Sequence, residues 1–186
     1  MRPVFVERVA FESVPSYARI DPDVLADVRT RLLSDSNVLG TTLSAAFRAL
    51  EHRQPAIASF IAHDLASIDD PGVQGVAYFM SMLVVQAFDE SFGQRLGCVE
   101  LADLHAALDR LIADGELRVV SGPGAFYSED AVALGQPAVV KLLRAEFDAA
   151  LELVPADETS VAASLDRFYE TLLVLTLALT QAVAPR

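Results

Sequence analysis

PGVQGVAYFMSMLVVQAFDESFG, residues 71–93, decides the fold class. Pro-Gly opens the stretch and Gly93 closes it. At 100° per residue, Val73, Val76, Met80, Leu83, Val84 and Ala87 fall on one face. The opposite face carries Tyr78, Met82 and Val85, broken by Gln74, Ser81 and Asp89. A helix that is apolar on nearly every side has to be buried on nearly every side. The stretch therefore predicts a buried central helix, with other helices wrapped around it.

Composition limits what that architecture can serve. The chain has 186 residues, enough for one domain with a sizeable core. Its one cysteine, Cys98, excludes an internal disulfide framework and suits a reducing compartment. The apolar fraction is 53% and the mean hydropathy is +0.37. The longest uncharged C-terminal run, TLLVLTLALTQAVA, is interrupted by Thr176, Thr180 and Gln181 and falls short of a spanning helix. The N-terminal MRPVFVERVAFE carries charges where a signal peptide needs an apolar core, so a cytoplasmic location is expected. The net charge is −12, and residues 64–116 hold ten acids against Arg95 and Arg110. Such a chain repels phosphate backbones, which disfavours nucleic acid as a general partner. Basic residues are almost all arginine, with Lys141 the sole lysine; together with the abundance of alanine this suits a GC-rich bacterial genome.

Working outward, the first 20 residues read as an extended arm, with strand-like types in VFVERVAFE and prolines at 15 and 22. Asp21-Pro22-Asp23 is a helix start, and Val24, Leu25, Val28, Leu32 and Leu33 form its stripe. Val38, Leu39, Thr42, Leu43, Ala46, Phe47 and Leu50 follow 3/4 spacing, and Gln54-Pro55 opens another helix. In 99–114 the predicted inner stripe is Leu101, Leu104, Leu108, Leu111 and Ile112, with Gly115 as the stop. Leu117–Val120 and Ala125–Tyr127 flank Ser121-Gly122-Pro123-Gly124 and predict a small β-hairpin near 117–127. A helix with Val139, Leu142, Leu143, Phe147 and Leu151 inward follows. The last helix, from about Glu158, is amphipathic at first, but beyond Glu170 its outer face becomes Val174, Leu177 and Ala178. That end is expected in a groove, in the core or against another subunit. The sum is a single all-α domain, 1–186, of about seven helices.

Catalytic patterns are sparse. His52, His63 and His105 stand in no HExxH or ExxH spacing. His105 and Asp109 sit one helical turn apart, as an ordinary solvated i,i+4 pair does. Cys98 precedes a helix start, but the neighbouring Glu100 disfavours a thiolate, so a structural cysteine is expected. Asp64, Asp69, Asp70, Asp89 and Glu90 fall at helix ends and lack the order of an EF-hand loop. No GxSxG, SxxK or Walker A pattern occurs. No catalytic, metal or cofactor residue is nominated.

One local resemblance adds to this. In VELADLHAALDRLIADGELRVVSGPGAFYS, residues 99–128, Ala107, Leu108, Leu111, Gly115, Leu117, Gly122, Gly124 and Phe126 match a recurring pattern. The segment resembles the recognition helix and wing of winged-helix transcription regulators, which implies a DNA-binding regulator. Its helix, however, presents Asp103, Asp109 and Asp114 against Arg110, a surface better suited to protein contact.

Three functions are therefore carried forward. The first is a non-catalytic protein-interaction or regulatory protein that self-associates as a homodimer through the apolar helix faces at Tyr78, Met82, Val85, Val174 and Leu177. The second is a small-molecule-binding protein or enzyme with an apolar pocket at Tyr78, Met82, Phe60 and Phe168 and polar contacts from Ser81, Gln86 or His63. The third is the winged-helix regulator.

Overall fold

The computed structural model describes residues 15–33, 39–121, 128–152 and 159–185. Among them are eight α-helices: α1 (Pro22–Leu33), α2 (Leu39–Arg53), α3 (Pro55–Leu65), α4 (Pro71–Phe92), α5 (Leu101–Ser121), α6 (Ser128–Gly135), α7 (Pro137–Glu152) and α8 (Thr159–Gln181). Short 3-10 turns occupy Ser16–Ala18 and Gly93–Arg95. The chain is all-α. The extended arm expected for residues 1–20 falls mostly outside the described residues; at its end, Ala18 and Ile20 are buried.

Local chemistry explains where α4 begins and ends. Asp70 accepts a hydrogen bond from the Val73 amide at 2.8 Å, and Pro71 occupies the first turn. Gly93, at φ 52°, ends the helix in a conformation that a side chain would strain. Between these caps, α4 packs against α1, α2, α3, α7 and α8. Pro71–Arg95 is apolar and long enough to cross a membrane by composition, yet 61% of its most apolar window is buried inside this fold.

The single buried rod of the sequence reading gives way to a pair. Helix α8 packs against α3, α4, α5, α6 and α7, and every residue from Thr171 to Thr180 is buried. Its threonines do not break this burial, because their hydroxyls turn back onto the helix. Thr176 donates to the Leu172 carbonyl and Thr180 to the Thr176 carbonyl, both at 2.7 Å.

The hairpin predicted near 117–127 is corrected in its first strand: residues 117–121 continue α5, and 122–127 lie outside the described residues. Gly115 does not stop the helix. A lone glycine costs about 1 kcal/mol in a helix interior, while each added residue extends an existing nucleus. A two-stranded hairpin with no further strand beside it is marginal. The wing implied by the winged-helix resemblance loses its first strand with it.

Two buried glutamines hold the connections. Gln136 accepts from the Ile20 amide at 3.0 Å and donates to the Ala18 carbonyl at 2.5 Å and the Thr180 hydroxyl at 3.1 Å. Gln54 accepts from the Val99 amide and donates to the Gly97 carbonyl, both at 2.8 Å. The segment so held also pairs with the end of α8: the Gly97 amide donates to the Ala182 carbonyl, and the Ala184 amide to the Arg95 carbonyl, both at 2.9 Å. A β-carbon on Gly97 would stand 3.2 Å from the Ala182 oxygen, so this close approach favours glycine.

Gln136→Leu leaves the Ile20 amide and Ala18 carbonyl buried without their partner. We expect it to lower unfolding free energy by about 2–3 kcal/mol in urea titrations, against less than about 0.5 kcal/mol for the exposed Gln94→Leu.

Candidate functional site

A cleft of about 210 Å³ lies between α2, α4, α8 and the segment after α4. Its apolar lining comes from Ala46, Ala49, Leu50, Val85, Leu96 and Leu179, and its polar lining from Arg53, Gln54, Gln86, Asp89 and Glu90. Arg53 grips Asp89 with both terminal nitrogens, and Arg31 on α1 pairs with Glu90. The two carboxylates beside the cleft are thus each matched by a guanidinium. These pairs are solvent-accessible, where each contributes no more than about 1 kcal/mol.

The five sequence-nominated contact residues do not form one surface. Met82, Val174 and Leu177 are buried within the chain. Val85 lines the cleft. Tyr78 is half-buried, donates to the Leu43 carbonyl at 3.2 Å and stacks obliquely on Phe47 at 5.5 Å. None of Tyr78, Met82, Phe60 and Phe168, nominated as pocket residues, lines the cleft. Phe168 instead borders a water-sized dent of about 10 Å³ beside Asp64 and Thr171. Of the polar candidates, Gln86 lines the cleft, Ser81 is bonded to the Ala77 carbonyl at 2.8 Å, and His63 is exposed.

His52 and His105 are exposed as well, and the His52 ring meets the Arg48 carbonyl at 2.8 Å. Cys98 is exposed, with its sulfur 3.8 Å from the Arg53 carbonyl. Among the described residues, no three His, Cys, Asp or Glu side chains gather as metal ligands.

A second feature lies on α5, whose predicted inner stripe holds at Leu104 and Leu111 but not at Leu101, Leu108 and Ile112. Helix α5 buries Leu104, Ala107 and Leu111, whereas Leu101 is 52% exposed, Leu108 38% and Ile112 51%. The predicted inner stripe had merged two faces. These three are a majority of the five exposed large hydrophobics among the described residues, the others being Leu33 and Leu134. Glu100 and Asp103 cap the helix, with the Asp103 carboxylate accepting from the Glu100 amide at 2.8 Å. The missed signal was spacing: Leu104, Ala107 and Leu111 repeat at three and four residues, and so do Leu101, His105, Leu108 and Ile112.

A third polar cluster joins α6, α7 and α8. Arg144 reaches Glu129 at 3.4 Å and Asp148 at 3.2 Å, and Phe147 packs on Tyr169 at 5.0 Å. Among the described residues the buried Tyr169 hydroxyl makes no well-formed hydrogen bond, although the Glu129 carboxylate and the Arg144 guanidinium both lie close to it. Burial first, then the nearby Glu129 carboxylate, pushes its pKa well above the usual phenol range, with Arg144 opposing.

Comparison with protein-family models gives no match, and neither curated proteins nor solved structures give a significant one.

The raised Tyr169 pKa carries a sign. Burial penalises only the ionised phenol, so the fold carries no cost from this group below the unfolded phenol pKa near 10, and stability falls as pH rises from there toward the folded value. We expect stability to decline above about pH 10 and Tyr169→Phe to flatten that decline, measured by urea unfolding across alkaline pH. At neutral pH the same variant removes an unsatisfied hydroxyl and should unfold no more easily than the parent.

Proposed function

We propose that this protein is a non-catalytic interaction domain that self-associates through the outward stripe of α5. The observation that carries the reading is the exposure of Leu101, Leu108 and Ile112 on one helix face. Apolar side chains scattered singly over a surface need no explanation, but three aligned over three turns form a patch of the kind that marks a partner site. A regulatory role follows the same logic, since association state is what such a domain can report. The winged-helix alternative loses support with the continuation of α5 through 117–121.

A small-molecule site is the second reading, and the cleft favours it. At about 210 Å³ it exceeds the 150 Å³ or so that accepts benzene but falls below the usual range of ligand pockets, about 300–1,000 Å³. Its size therefore suits a small, compact ligand with an apolar body. Native mass spectrometry of the purified protein tests this: a copurifying small molecule lost in Ala49→Trp supports it, and a bare chain that no small aromatic stabilises against heat removes it.

For the main reading, sedimentation should show a dimer. Leu108→Glu should weaken association by roughly 100-fold or more, because two-fold symmetry buries the charge twice, while leaving the melting temperature of the isolated chain nearly unchanged. Each copy carries a net charge of −12, so added salt should tighten the dimer by screening that repulsion. A chain that stays monomeric at roughly 1 mM overturns the proposal.

A further inference from the structure

The cleft beside Gln54 is built where three helices end. Leu50 and Arg53 lie in the last turn of α2, Asp89 and Glu90 in the last turn of α4, and Leu179 in the last turn of α8. A helix C-terminus carries about half a negative elementary charge, felt mainly within its last turn. On the lining, Gln54 alone stands at a helix start, that of α3, and its carboxamide is spent on Gly97 and Val99. Three negative helix ends thus face the cleft against one positive end.

The charged side chains do not reverse this sign. Asp89 and Glu90 are answered by Arg53 and Arg31, two against two. Arg48, Glu51 and His52 belong to the end of α2 but do not line the cleft. Arg95, next to Leu96, lies over the ring of Phe92, which is not a lining residue either. The chain as a whole carries −12.

One face of α4 supplies acceptors. Gln86, Asp89 and Glu90 stand at i, i+3 and i+4, so their side chains are neighbours. The Gln86 carboxamide makes no hydrogen bond among the described residues. A carboxylate oxygen has two lone pairs, so Asp89 and Glu90 can accept again while each is held by an arginine. Arg53 already spends both terminal nitrogens on Asp89.

We infer that the cleft binds a small organic cation, a primary ammonium carried on one compact apolar body. This rests on the small-molecule reading above. The body lies against Leu50, Val85, Leu96 and Leu179, and the ammonium meets the acceptor face of α4. An ammonium has three N–H donors and no acceptor, which matches Gln86, Asp89 and Glu90. A bare metal ion would leave the apolar lining unfilled, and an anion would meet three helix C-termini and two carboxylates. A cavity of about 150 Å³ takes benzene, so about 210 Å³ leaves room for one ring with a short chain.

Three probes of nearly equal shape separate charge from apolar contact: 2-phenylethylamine, 2-phenylethanol and phenylacetate. Calorimetry at neutral pH in about 20 mM salt, where screening is weak, gives their dissociation constants. The amine should bind at least about tenfold more tightly than the alcohol, and phenylacetate more weakly than either. Glu90→Gln drops a charge at an exposed position and should weaken the amine about three- to fivefold, with the alcohol unchanged. Ala49→Trp, which fills the cleft from an exposed position, should abolish binding of the amine and the alcohol. Equal affinity for amine and alcohol overturns the inference and leaves an apolar small-molecule site standing. Tightest binding of phenylacetate overturns it as well. Amine binding that survives Ala49→Trp places the cation outside the cleft and overturns it too. If none of the three probes binds, the small-molecule reading itself fails, and the inference with it.

Discussion

The packing of α4 against α8 is the contact on which the other elements depend. Each helix is too apolar to leave a wide face in water, and each exceeds 20 residues. Together they offer a long dry wall. Fully burying one large aliphatic side chain is worth about 1.5–3 kcal/mol, and Met80, Leu83, Leu172 and Leu175 are among those that become inaccessible. No other described pair of helices is enclosed to this degree. Helices α3 and α7 touch both members of the pair, α1 and α2 pack on α4, and α5 and α6 pack on α8.

Once that wall exists, its ends must be closed without stranding backbone groups. Gln54 and Gln136 do this from opposite regions of the chain. Each carboxamide answers both an amide and a carbonyl of a segment that lies outside the α-helices. A buried side chain that satisfies backbone groups in this way also sets the relative position of distant segments, because a shift of about 1 Å would leave its partners unpaired inside the protein. The cleft lies directly beside the Gln54 junction, bounded by Leu96 and Leu179. Its shape is thus a by-product of how α2, α4 and α8 converge there.

Helix α5 shows the opposite economy. It is held to the body by Leu104, Ala107 and Leu111 and leaves an apolar row outside. A core built on α4 and α8 already has what it needs from α5, and the remaining row has no partner within the described residues.

The sequence by itself determined the fold class, because periodicity, caps and helix-breaking residues act within a few residues of one another. Asp70, Pro71 and Gly93 announce the ends of α4 in the same way whether the helix is seen or inferred. The all-round apolarity of α4 and of the distal half of α8 required burial, and burial is what both have. Only the tertiary structure decided which of two interleaved apolar rows on α5 faces inward, since both satisfy helical spacing and the choice depends on where α8 lies. It also decided that Leu117–Val120 extend a helix, because β-rich residue types form a strand only where another strand is available to pair with them. The cleft was illegible for the same reason: its lining comes from three helices and a connecting segment, from Ala46 to Leu179, and no local pattern records that they meet.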